Sequence, residues 1–151
     1  MAYVTSEARQ QLLDEVAQAI DRLAIALAAV GAAYEQLDEQ AGDRLEEQLF
    51  RPLQVAYGRA KRTHAGFADR HGLRGREFAP GTARSSHGLQ EQVEDAIDAI
   101  SGADDLLSEL QDSMLPVEVG DAEVRAGLAE VRELLTPLPG RAHEMSRRFG
   151  R

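Results

Sequence analysis

Few residues in this chain could do chemistry, and the histidines come first. The segment KRTHAGFADRH, from Lys61 to His71, carries His64 and His71 with Phe67 between them. All three fall on one apolar helical repeat, which suits either a ligand site inside a bundle or the polar edge of a core. Distance argues against a shared metal. Seven residues of helix separate the two histidines by about 10.5 Å, and two ligands at ~2.1 Å bonds lie much closer than that. The helical neighbours of His64 are Ala60, Phe67 and Ala68, none of them a ligand. The Glu-x-x-His pairs of di-iron bundles are also absent, so no metal site is expected.

A haem reading survives better. His64 and Met145 are both seam residues, on helices that would face each other diagonally, and haem bundles use that pair of ligand types. Ala60 and Ala142 would leave room beside them. Against this stands the plainer reading of a core-edge histidine bonded to water or to a neighbouring helix, and the expected cofactor is none. Asp105, Glu109 and Asp112 have permissive helical spacing for a divalent cation but nothing resembling a calcium loop. Ser85, Ser86 and His87 are adjacent without a third group to orient a base, and they read as a helix cap. There is no phosphate-binding loop and no Gly-x-Gly-x-x-Gly. No catalytic residue can be named, and a non-enzyme is expected.

The elements that must hold these residues are helices. At 151 residues with 43% hydrophobic content the chain is one domain able to bury a core. Leu13, Val16, Ile20, Leu23, Leu27, Val30, Tyr34 and Leu37 repeat at alternating steps of three and four. A second seam runs from Phe50 through Leu53, Tyr57, Ala60, His64 and Phe67 to His71, with Pro52 expected to kink or restart it. Leu89 to Met114 and Val124 to Phe149 supply two more, the last crossing TPLPG in phase with its apolar face retained. The spacing predicts helices over about 5–40, 43–71, 86–115 and 121–149. Thr5 or Ser6, Asp43, Ser85 or Ser86, and Asp121 are the expected N-caps. GLRGREFAPGTARSS, Gly72 to Ser86, is the longest break, with Phe78 expected to pin it to the bundle end. An all-α, antiparallel up-down-up-down four-helix bundle follows, with two hairpins completed by dimerisation as the alternative.

Charge narrows the partners. The chain carries a net charge of −9, which argues against nucleic acid as a partner. There is no cysteine, hence no disulfide or thiolate chemistry. The apolar run LAIALAAVGAAY covers 12 residues, short of the roughly 20 of a membrane span, and Met1–Gln11 lacks a leader pattern. A soluble, cytoplasmic protein without a membrane partner is expected. Arg59 to Gln90 is basic, and Glu91 to Glu123 holds eleven acidic residues and no Lys or Arg. With helices two and three as antiparallel neighbours, Arg59, Lys61, Arg62 and Arg70 would lie beside Glu91, Glu94, Asp95 and Asp98. One end of the rod would then be acidic. The other would hold all four histidines and Arg74, Arg76, Arg84, Arg141, Arg147, Arg148 and Arg151.

Ile25, Ala28, Ala29 and Ala32 face away from the first seam, where a bundle's outer surface should be polar. They form the expected interface, for a homodimer or another protein. The leading expectation is a non-catalytic bundle acting through protein–protein interaction or self-association. A haem or metal site at the histidine end and an acidic regulator that masks a basic surface are the alternatives.

Overall fold

The computed structural model describes the backbone from Ala2 to Phe149 and the side chains from Val4 onward. Arg151, assigned above to a basic end, lies outside the described residues. Among them every regular element is helical. α1 runs Ala2–Tyr34, α2 Glu39–Leu45, α3 Arg51–His71, α4 Leu89–Asp112, α5 Leu115–Glu118, α6 Ala122–Leu135 and α7 Leu138–Phe149. A π-helical turn, Glu46–Phe50, joins α2 to α3 in one rod.

Local chemistry sets these limits. α1 starts ahead of the expected caps Thr5 and Ser6, and it stops six residues before position 40. Asp38, rather than Asp43, caps α2, its carboxylate accepting from the Ala41 N–H at 2.8 Å. Pro52 has no N–H for the carbonyl of Gln48 and its ring would crowd it, so the helix widens to a π-turn there. Arg141 of α7 donates to that Gln48 carbonyl instead, at 3.2 Å. α3 ends at Gly72, whose φ of 63° is the left-handed conformation glycine adopts without strain. Gly88, not Ser85 or Ser86, precedes α4, and the Glu91 carboxylate accepts from its N–H at 3.2 Å. Asp121 caps α6 as expected, accepting from the Val124 N–H at 2.7 Å. The chain breaks at Thr136–Pro137, yet Leu135, Leu138, Ala142 and Met145 stay buried, so the apolar face continues across the prolines.

The connectivity differs from the expected up-down-up-down order. α1 packs chiefly on α4 and also on α3, while α3 packs chiefly on α6, and α4 packs on α7 as well as on α1. Arg74, just past α3, exchanges hydrogen bonds with Gln10 near the start of α1, so α3 runs antiparallel to α1. The Arg22 guanidinium lies against Gly102, and Arg9 Nε donates to the Val119 carbonyl at 2.9 Å, so α4 also runs antiparallel to α1. α3 and α4 are therefore parallel and diagonal, and α6–α7 returns alongside both. The order is up-down-down-up, with one long crossover.

The crossover is the Gly72–Gly88 segment. It is not confined to one end of the bundle: its residues climb along α1 from Gln10 to the level of Ala29, about 28 Å at 1.5 Å per helical residue. An extended segment of this length reaches that far easily. Arg76 clasps Asp21 at 2.6 and 3.1 Å, and Phe78 sets its ring against His64, midway along the rod and not at the end. Gln92, itself buried, donates to the Arg84 carbonyl at 2.6 Å and anchors the far side.

α1 is the central element, covered by α4, α3, the π-turn and the crossover. Counted over Val4–Tyr34 instead of the twelve-residue run, it is long and apolar enough to cross a membrane by length and composition, but 56% of its most apolar window is buried in the bundle.

Candidate functional site

The interior offers little for chemistry. Buried polar side chains are confined to Thr63, His64 and Gln92 among the described residues, inside a core of leucine, isoleucine, valine and alanine. Thr63 donates to the Arg59 carbonyl at 2.8 Å and sits beneath Gly127, where α3 and α6 approach closely. His64 is 3% exposed, with the Phe78 ring edge-on at 5.0 Å. Burial pushes its pKa down and the nearby Arg76 charge adds to this, with Asp14 opposing.

His64 and Met145 do not meet. Met145 lies beside Arg44 and Gln48, and sixteen residues of the α2–α3 rod, about 24 Å, separate Gln48 from His64. The haem pair placed them at one end by assuming that α3 and α4 were antiparallel. The crossover likewise separates the histidines. His71 closes α3 beside Asp121 and His64 sits two turns further in, while His87 and exposed His143 belong to the end where Gln90 bonds the Ser146 carbonyl. His87 turns to Asp95 at 2.7 Å and acts in the cap region. Among the described residues no three His, Asp or Glu side chains group as metal ligands; Asp105, Glu109 and Asp112 are all exposed.

The charge pairs change partners for the same reason. Arg59 binds Glu130 at 2.6 Å, and Arg70 binds Asp121 and Glu123 at 2.7 Å, all on or beside α6 instead of α4. Burial alone would raise the Asp121 carboxyl. The hydrogen bonds from Arg70, the Val124 amide and His71, with the Arg70 charge, outweigh it and hold the group far below the usual carboxylate range. The acidic and basic ends dissolve too, since α4 finishes at the end opposite the Leu37–Glu47 turn.

What the fold does build is a trough on the outside. Ala24, Ala28 and Gly31 of α1 recur at four- and three-residue steps, leaving space along one helical face. Phe50, Gln54 and Tyr57 recur at the same steps across the gap, and the crossover closes one side with Phe78, Pro80 and Gly81. Together they line a cavity of about 370 Å³. Gly81 is required there: a Cβ would sit 2.5 Å from the Ala24 carbonyl oxygen. The Lys61 ammonium stands 4.3 Å above the Tyr57 ring at one mouth. Burial raises the Tyr57 pKa, helped by Asp21 and opposed by Arg76. A second hollow of about 340 Å³ continues past Gly31 and Phe50 to Tyr34, Glu35 and Glu46.

The expected interface is only partly free. Ile25 is 44% exposed, and Ala28 and Ala32 are half-buried. Ala29 is 2% exposed, closed off inside the chain, and unavailable to a partner. The trough residues Tyr57, Lys61, Phe78 and Gly81 escaped sequence reasoning because the crossover was not expected on α1. The apolar circumference of α1 was the available signal, since a helix with apolar residues all round needs more than two neighbours.

Compared with models of protein families, with characterised proteins and with solved structures, the chain matches none.

Proposed function

We propose that the protein acts by holding another protein chain, not by turning over a substrate. Its site is the trough between α1 and α3 together with the outward residues Ile25, Ala28 and Ala32. The observation that carries this reading is the trough itself, a half-open apolar channel on the surface of a bundle whose centre is filled. Its small residues admit a close backbone approach. Its rim offers the aromatic side chains that anchor interfaces: Tyr34, Phe50, Tyr57 and Phe78. Tyr34, 44% exposed, extends the apolar surface at the far edge, while Ile25, equally exposed, borders the neighbouring hollow on the α4 side of the crossover with Thr82, Ala83 and Asp98.

A photo-cross-linking side chain at Ala28 tests it, with the same group at exposed Glu94 on α4 as control. Protein adducts are expected from position 28 and not from position 94. Equal labelling from both, or none from position 28, ends the reading.

A further inference from the structure

We infer that the trough's occupant is a second copy of this chain, laid antiparallel, α1 along α1, about a two-fold axis near Ala28 and Gln54. The inference rests on the binding role proposed above and names the partner.

Its ground is the charge at the trough's two mouths. Lys61, the chain's single lysine, stands at one mouth and forms no ion pair among the described residues. Glu35 and Glu46 stand at the other mouth. Glu35 is exposed and has no ion pair among the described residues, and Glu46 has only a 3.9 Å contact with exposed Arg51. Both mouths thus hold charge that the chain leaves largely uncompensated.

A two-fold axis across the trough reverses its direction in the partner. Lys61 of each copy then meets Glu35 and Glu46 of the other, and the match is made twice by one arrangement. Spacing places the axis. Lys61 and Glu46 are fifteen residues apart on one rod, about 22 Å, and their midpoint falls at Leu53–Gln54. Residues near a two-fold axis meet their own copies, so like charges there would repel. Gln54 and Ala28 are uncharged, and the Gln54 amide can both donate to and accept from its twin. Gly31 has open space where a Cβ would project, so the partner's backbone can come close.

The test is mass against concentration by light scattering. Wild type should rise from 16.5 kDa toward twice that mass. Lys61→Glu should move the midpoint to roughly tenfold higher concentration or more, with the helical circular dichroism unchanged. Adding Glu35→Lys and Glu46→Lys to that variant should bring the midpoint back, and Ala28→Arg should abolish the rise. A wild-type chain that stays at 16.5 kDa to millimolar concentration overturns the inference. So does a dimer indifferent to Lys61→Glu. If the chain stays monomeric while position 28 still cross-links to a different protein, the binding role stands and only the second copy fails.

Discussion

Two seams of the bundle are built on different principles. Where α1 meets α4, both helices contribute buried alanines, Ala19, Ala26 and Ala33 on one and Ala96 and Ala103 on the other. The Arg22 guanidinium lies over Gly102, and among the described residues no ion pair joins the two helices. Where α3 meets α6, the closest approach is Thr63 beneath Gly127, and charge clasps flank it on both sides. Arg59 holds Glu130, while Arg70 and His71 converge on Asp121. The first seam is held by area, which neither salt nor a proton removes. The second adds paired charges, which fix its register and leave it open to titration and screening.

Substitutions can break or sharpen that contrast. Leu23→Ala, at a fully buried position of α1, should have the largest effect. A loss of about 3 kcal/mol is expected, and a melting temperature lower by roughly 6–12 °C, at low and high salt alike. A salt-dependent loss would show that the α1 side is not held by area. Asp121→Ala should follow, at about 2 kcal/mol at neutral pH, because it removes a helix cap and the carboxylate that Arg70 and His71 share. Its folded pKa lies below the unfolded value, so its contribution is present above pH ~3.8 and fades as pH falls below that. The variant's stability should therefore decline less on acidification than that of the wild type, measured by urea unfolding at pH 7 and pH 3. An unchanged acid slope would remove Asp121 from that account. Arg59→Ala should matter least, at about 0–1 kcal/mol, since Glu130 is more than half exposed. That loss should shrink in high salt, and a cost equal to that of Leu23→Ala would erase the distinction between the seams.

The sequence carried the helices well and their arrangement poorly. The three-and-four spacing located every long helix, and the phase kept from Leu135 to Met145 carried the last apolar face across two prolines. Caps were less legible. Asp121 was readable, but Asp38 and Gly88 lay among several polar residues of similar promise. Topology was lost at one point, the segment from Gly72 to Gly88. Periodicity says nothing about where an irregular segment travels, and a compact end loop and a rod-length crossover share the same glycines and prolines. Every long-range pairing built on the wrong choice failed with it: His64 with Met145, Arg59 with the α4 carboxylates, the four histidines at one end. Of the trough, the small residues Ala28 and Ala32 and the exposed Ile25 were visible in the spacing. The wall supplied by Phe78, Pro80 and Gly81 was not.

The same crossover governs how the molecule can come into being. The main partner of α1 is α4, and that of α3 is α6, so each half of the chain keeps its best neighbours in the other half. A ribosome delivering this protein releases α1, α2 and α3 before α4 and α6 exist to cover the larger part of their oily sides. Assembly must wait for the last third of the message, and a chain cut short near Gly88 would leave the ribosome with the α4-facing side of α1 and the α6-facing side of α3 uncovered, suited to a chaperone or a protease.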